Sequence, residues 1–299
     1  MSKDALQKVS APHDIIVRKV PFVFEENFDP IWHPDQHEWS HMVSGISLTM
    51  PHLEPFLIRT MREAMAQIDD PGLKEDMRGF MGQEGQHYQV HIRYNDLVKA
   101  NGYEEVQQFE DEMEADYSRY QKRSLKWRLA YSAGFETMTM GATKWLINNR
   151  EKLFAGADPA VTSFVLWHMV EETEHKTVAH AVYQQLYSDY WARAWGLFCG
   201  SWHIVRYGRK SYINMLKKDG KWSDWRSRWR AQKRGANFLW NVGKTLMYSI
   251  LPGHDPDNIK DPKWVADWME AYADLPEGFI PLLNTNEPGI PARFGESAA

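Results

Sequence analysis

One arrangement of acids and imidazoles occurs twice in this chain and restricts its fold more than any other feature. Glu84-Gly85-Gln86-His87 and Glu172-Thr173-Glu174-His175 repeat the spacing Glu-x-x-His, and each has an earlier glutamate, Glu54 and Glu136, placed to sit on a neighbouring helix. Residues three apart on an α-helix share a face about one turn apart, so a carboxylate and an imidazole at this spacing reach the same point. Two such helices, with one inward glutamate from each of two more, give the ligand geometry of a dimetal helical bundle. Each half of the pattern reads as a helix, a turn and an antiparallel return helix, and the halves are expected to be related by an approximate two-fold.

A single Glu-x-x-His carries little weight, and the chain contains a third, Glu38-Trp39-Ser40-His41. That copy follows Pro34 in a stretch without a helical apolar stripe and reads as a loop or helix-start pair. The other two differ in their surroundings. Val161, Phe164, Val165, Trp167, Met169, Val170, Val178, Ala179 and Val182 make a strongly apolar helix around Glu171, Glu172, Glu174 and His175. Buried carboxylates without partners are costly, and a divalent cation compensates them. Glu136 is the only charge in Tyr131–Ala142, a run of small and apolar residues, and is expected to be buried and paired. Glu54, between Leu53 and Pro55 at an expected helix start, also suits a capping role, with Glu63 as its substitute. The expected metal set is therefore Glu54, Glu84, His87, Glu136, Glu172 and His175. His91 and His168, one turn from these pairs, are expected to stand behind the ligands as hydrogen-bond partners, together with Glu171 and His180.

Length and composition set the class. A chain of 299 residues, 43% hydrophobic and 25% charged, describes a globular protein, with no run long and apolar enough to span a bilayer and no secretory-type N-terminus, hence an expected cytoplasmic location. Cys199 is the only cysteine, which excludes an internal disulfide and a thiolate cluster within the chain, so metal would be held by Glu, Asp and His. The carboxylate-rich mix points to two divalent ions, iron first, with manganese or zinc as alternatives.

The helical reading is all-α throughout: a ferritin-like four-helix bundle with additional C-terminal helices. Residues 1–50 are expected to wrap the bundle, 51–188 to form it, and 189–299 to pack on the same domain as an extension and tail. Helices are expected from Glu54 to the breaker Asp69-Asp70-Pro71-Gly72, from Leu73 to Ala100, from about Gln121 to Asn149, from about Ala160 to Leu186, over 190–218 and 222–250, and near 262–274. Residues 191–251 hold 13 Lys and Arg against Asp219 and Asp224, and half of the tryptophans, in a chain of net charge −5. Such a segment reads as a solvated flank or as a peripheral membrane contact. No nucleic-acid partner is expected, and a homodimer is allowed.

These motifs resemble a bacterial family of predicted metal-dependent hydrolases that groups with the ferritin-like helical-bundle proteins. The resemblance lies in Pro51-His52-Leu53-Glu54-Pro55-Phe56, Gly82-Gln83-Glu84-Gly85-Gln86-His87, Phe135-Glu136, Pro252-Gly253-His254-Asp255-Pro256 and above all Trp167-His168-Met169-Val170-Glu171-Glu172-Thr173-Glu174-His175-Lys176-Thr177-Val178-Ala179, and covers roughly 15–260. The family continues with Phe-Asp where this chain has His180-Ala181. The ligand pattern itself looks like that of oxygen-activating di-iron proteins. The leading expectation is thus a di-iron oxidase or oxygenase using O2 on a small hydrophobic substrate, held in an apolar pocket of Phe135, Met138, Met140, Trp167 and Met169. The alternatives are a dinuclear metal-dependent hydrolase, and a metal-binding protein that docks on a membrane or polyanion through 191–251.

Overall fold

The computed structural model describes residues 15–276 and 278–295. It is all-α: α1 His37–Ser47, α2 Met50–Met65, α3 Pro71–Val98, α4 Gln107–Tyr120, α5 Leu125–Asn148, α6 Arg150–Phe154, α7 Pro159–Glu174, α8 Val178–Leu186, α9 Tyr190–Lys218, α10 Trp225–Ser249 and α11 Lys263–Ala273. No β-strand forms among the described residues; the nearest approach is one isolated bridge between Leu283 and Phe294. Among the described residues no helix is long and apolar enough to cross a membrane.

Local chemistry sets the helix starts. The Asp70 carboxylate accepts from the Leu73 amide at 2.8 Å ahead of Pro71, and Asp158 does the same for Val161 at 2.8 Å ahead of Pro159. An acidic N-cap followed by proline at the first helical position satisfies one orphan amide and presets φ. These two starts fix the rotational phase of α3 and α7, the helices that carry both Glu-x-x-His copies.

The expected fourth helix is in fact two. α7 stops at Glu174, His175 leaves the helical region at φ −107° and ψ 9°, and α8 begins at Val178. The break lies where Glu171, Glu172 and His175 are all buried and each needs a partner in a different direction, so partner geometry overrides helix continuity. Lys176, inside the break, donates to both carboxylate oxygens of Asp261 at 2.8 and 2.7 Å and to the Ile259 carbonyl at 3.0 Å. That pins the turn to the C-terminal segment.

The segment 1–50 expected to wrap the bundle divides as well, with 1–14 lying outside the described residues. Residues 15–36 run irregularly over the bundle, burying Val20, Phe22, Phe28 and Trp32, but His37–Ser47 is a helix rather than a wrapping segment. Its buried face is Glu38, Ser40, His41, Ser44, Gly45 and Ser47 around Trp39, which explains the missing apolar stripe: the contact is made by small and polar groups. A Cβ on Gly45 would lie 2.6 Å from the Gly208 carbonyl oxygen of α9. The third Glu-x-x-His thus sits on α1, where Glu38 pairs with Arg230 at 2.6 Å and His41 Nε2 meets Asp219 at 2.5 Å, away from the other two copies.

α9 lies along α5 and α10 packs on α5 as well. The α5–α9 crossing is set by Gly134 and Gly196: a Cβ on Gly196 would stand 2.1 Å from the Ala130 carbonyl oxygen, and one on Gly134 2.5 Å from the Gly196 carbonyl. Backbone atoms cannot yield as a flexible side chain can, so Gly196→Val is expected to destabilise the fold by at least ~1–3 kcal/mol. Urea unfolding checks this; an unchanged midpoint would mean that the helices are free to separate.

Candidate metal centre

Four elements point acids and imidazoles at one buried volume. Glu54 comes from α2, Glu84, His87 and His91 from α3, Glu136 from α5, and His168, Glu171 and Glu172 from α7, with His175 from the turn that ends it. Glu54 lies well inside α2, which starts at Met50 and continues through Pro55, so it does not serve as a cap. All of these side chains are buried.

The ligand atoms fall into two adjoining groups. Glu84, His87, Glu172 and His175 each offer one atom, all within 4.8 Å of one another, and so do Glu54, His91 and His168. In the first group His87 Nδ1 faces Glu84 at 3.9 Å and Glu172 at 4.0 Å, and His175 Nε2 faces Glu84 at 3.7 Å and Glu172 at 3.8 Å. In the second, Glu54 Oε1 lies 4.0 Å from His91 Nε2 and 3.8 Å from His168 Nε2. Glu172 joins the two: Oε1 accepts from His168 at 2.8 Å while Oε2 turns to His175. His91 and His168, expected behind the ligands, therefore face Glu54 themselves, and His91 Nε2 also meets His168 Nδ1 at 2.8 Å.

Most of these atoms have no hydrogen-bond partner among the described residues: both oxygens of Glu54, Glu84 and Glu136, Oε2 of Glu172, Nδ1 of His87 and both nitrogens of His175. A buried charged group without a partner is costly enough that it either neutralises or takes up a counter-ion. Gaps near 4 Å between facing oxygens and nitrogens are too long for hydrogen bonds but suit atoms about 2 Å from a common ion. The donor set of carboxylates and imidazoles fits iron, manganese or zinc.

Electrostatics carries the same message. Burial, reinforced by Glu172 and the neighbouring carboxylates, raises the Glu54 and Glu84 carboxyls well above their usual range, and burial with Glu172 pushes Glu136 up to about 7. Burial drives His87 and His91 well below the ordinary imidazole value. Burial also works against a charged His175, but Glu172 and Glu136 outweigh it and hold that ring up at about 9. Without a cation, burial holds three of the four carboxyls toward the neutral form, and Glu172 alone keeps its charge, facing the His175 imidazolium.

The supporting contacts begin in segments that motif spacing cannot reveal. Glu171 accepts from His87 Nε2 at 2.9 Å and turns its other oxygen to Arg18, at 3.1 Å. Arg18 also binds Glu174, at 2.9 and 2.6 Å. Ser47, at the end of α1, bonds His91 Nδ1 at 2.7 Å and donates to Asn95 at 2.6 Å. Glu136 Oε2 lies 3.4 Å from His175 Nδ1, on the side of the ring away from Glu84. His180 is not brought to the centre; its ring faces His254 at 5.6 Å.

His180, His203 and His254 are each held down to about 4 by burial, with nearby cationic groups adding to the effect. A base whose folded pKa lies below its unfolded value of 6.5 stabilises fully above that value and loses the contribution as pH falls toward 4. His203 sits between Tyr131, at 2.8 Å, and Asp116, at 3.2 Å. His203→Gln is therefore expected to flatten the decline in unfolding free energy between pH 6.5 and 4, measured by urea titration at several pH values. An unchanged slope would show that His203 takes up its proton without cost.

A cavity of about 360 Å³ reaches the second group, with His91, His168 and Glu172 in its wall. Phe135, Met138 and Met169 line it as expected from the sequence, whereas Met140 borders a separate small hollow and Trp167 packs edge-on against His87 at 5.0 Å. The rest of the wall is largely apolar, drawn from α1, α5, α7, α9 and α10. No curated protein and no solved structure is significantly similar to the chain. The family described as predicted metal-dependent hydrolase matches residues 16–260, a span that contains every side chain of the two ligand groups. With well over half of its length matched, the chain belongs to the predicted metal-dependent hydrolase family.

Proposed function

We propose that the protein is a hydrolase that holds two divalent ions, one by Glu84, His87, Glu172 and His175 and one by Glu54, His91 and His168, and that it cleaves an ester or amide bond in a hydrophobic substrate. The observation that carries this reading is the set of unpartnered buried carboxylate and imidazole atoms, one of whose members, Glu172, also stands in the wall of an apolar cavity. It shares its frame with the ferritin-like dimetal bundles. Bound divalent ions supply Lewis acidity and a water acidified toward neutral pH. The chain's own residues do the rest. The cavity wall desolvates the substrate and directs its reacting bond toward His91, His168 and Glu172. Glu171 and Ser47 hold His87 and His91 by the nitrogens that face away from the centre, and Glu136 orients His175 from behind.

The family assignment favours hydrolysis over the oxygen-activating reading, and two imidazoles with one carboxylate is a donor set of catalytic zinc sites. The same triad also suits non-haem iron, which keeps oxygen activation as the second reading. Elemental analysis of protein purified without added metal, with hydrolysis of a chain-length series of nitrophenyl esters measured in air and under argon, separates them. Ester cleavage undiminished under argon is the expected result; iron content with O2 uptake and no cleavage would overturn it. Glu136→Gln keeps the shape of the side chain and is expected to weaken metal binding by roughly 10–100-fold, the cost of losing a supporting partner. Full retention of affinity would remove Glu136 from the account.

A further inference from the structure

The cavity wall includes exposed residues of both α9 and α10, Arg209 on the first and Gln232, Ala236 and Leu239 on the second, and the surface beside them is rich in exposed aromatic residues. On α9 the residues Trp191, Trp195, Phe198 and Trp202 follow one helical face, and all are more than half exposed. The next positions on that face are Val205 and Arg209, which line the cavity. On α10 Trp225 and Trp229, also more than half exposed, lead by the same spacing to Gln232, Ala236 and Leu239, again in the cavity wall, and Trp240 projects beside them. Two stripes of exposed aromatic residues therefore run into the rim of one apolar cavity. Single exposed apolar side chains need no explanation, but a continuous patch of this kind does.

The charge around the patch selects its partner. Lys210, Lys218 and Arg230 are paired with Glu112, Glu105 and Glu38. Arg206, Arg209, Arg226, Arg228, Lys233 and Lys244 make no ion pair among the described residues; Arg226 and Lys244 lie over the rings of Trp225 and Trp240, at 5.4 and 5.2 Å. Tryptophan rings with cations beside them match the headgroup layer of an anionic bilayer, where the ring sits at the acyl boundary and the cation meets phosphate. A two-fold dimer through the same face would set these cations against their own copies. A nucleic acid would leave the apolar rim and cavity without a partner.

We propose that the α9–α10 face docks on the surface of an anionic membrane and that the cavity takes its substrate, an acyl or comparably hydrophobic ester or amide, directly from that bilayer. The docking step stands on the surface alone; the identity of the substrate rests on the hydrolytic reading above.

The test uses the full chain and phosphatidylcholine vesicles with and without phosphatidylserine. The protein is expected to float with the phosphatidylserine vesicles, to release as salt screens the cations, and to shift its tryptophan emission to the blue on binding. A variant carrying W195S, W202S, W229S and W240S, all at exposed positions and checked for an unchanged melting curve, is expected to lose at least about ten-fold in partitioning. Absence of flotation at low salt, equal flotation of the variant, dimerisation through this face in sedimentation, or a preference for single-stranded DNA over vesicles would each overturn docking. The rim is probed separately with a pyrene-labelled acyl ester carried in the vesicles. Ala236→Trp is expected to float normally but to take up the probe at least about ten-fold less than the wild type, and equal uptake would overturn entry from the bilayer. Flotation is repeated on chelator-stripped protein and on Glu172→Ala. Neither needs metal to dock, so failure of the metal centre and failure of the membrane proposal give different results.

Discussion

Glu172→Ala is expected to bind neither ion in place and to abolish hydrolysis, with metal affinity falling by more than the roughly 10–100-fold that loss of a supporting partner costs. Glu172 is the one side chain whose two oxygens serve both groups, Oε1 toward His168 at 2.8 Å and Oε2 toward His175 at 3.8 Å. It is also the acid of the centre that stays ionised: burial works against its charge, but His175 and His168 more than compensate and lower its pKa. Its removal lessens a repulsion that adds to burial in raising Glu54, Glu84 and Glu136, but it also strips His175 and His168 of their buried partner, so the metal-free variant is expected to be less stable than the metal-free wild type. Metal content by elemental analysis and apo stability by urea unfolding, measured on the same samples, check the two halves of this result. A variant that keeps two ions per chain would remove Glu172 from the shared position.

Arg18→Ala is expected to be the most destabilising change outside the core, by about 3–5 kcal/mol, the usual cost of breaking one partner from a buried ion pair. The guanidinium is buried, binds Glu171 at 3.1 Å and Glu174 at 2.9 and 2.6 Å, and is packed over Tyr272 at 5.3 Å and Trp268 at 5.7 Å. Even with it in place burial pushes Glu171 up to about 8. Without it, the Glu171 oxygen that faces Arg18 loses its partner, and the hold of Glu171 on His87 loosens. The loss in stability is accordingly expected to come with weaker metal binding. Thermal unfolding with and without excess metal measures both; a small loss with unaltered metal response would show that Arg18 only closes the surface.

Helical spacing converts directly into geometry for acids and imidazoles three apart on α3 and for inward glutamates on α2 and α5, but of the six motif residues Glu84, His87, Glu172 and His175 gather in one group, Glu54 falls in the other, and Glu136 joins neither, standing behind His175. The second ligand group was half legible. His91 and His168 stand one turn from the motif pairs, but which of them faces inward depends on the phases that Asp70 and Asp158 set by capping α3 and α7. Arg18 and Ser47 were out of reach, because they arrive from a segment with no helical pattern and from a helix whose buried face is small and polar. α1 was missed for the same reason. The break at His175 was hidden because every residue from Val161 to Val182 is compatible with a helix, and only the buried partners of Glu171, Glu172 and His175 interrupt it. His180 looked like part of the site by its proximity in sequence, yet the break rotates α8 and sends it to His254.

The central claim is that two cations, one in each of two adjoining groups of buried acids and imidazoles, complete this interior. Anomalous diffraction from crystals grown with zinc or manganese tests it most directly. The account predicts two peaks, one within bonding distance of Glu84, His87, Glu172 and His175 and one within bonding distance of Glu54, His91 and His168. Maps without a peak at either place, with Glu54 and Glu84 instead bonded to protein or water donors, would contradict it.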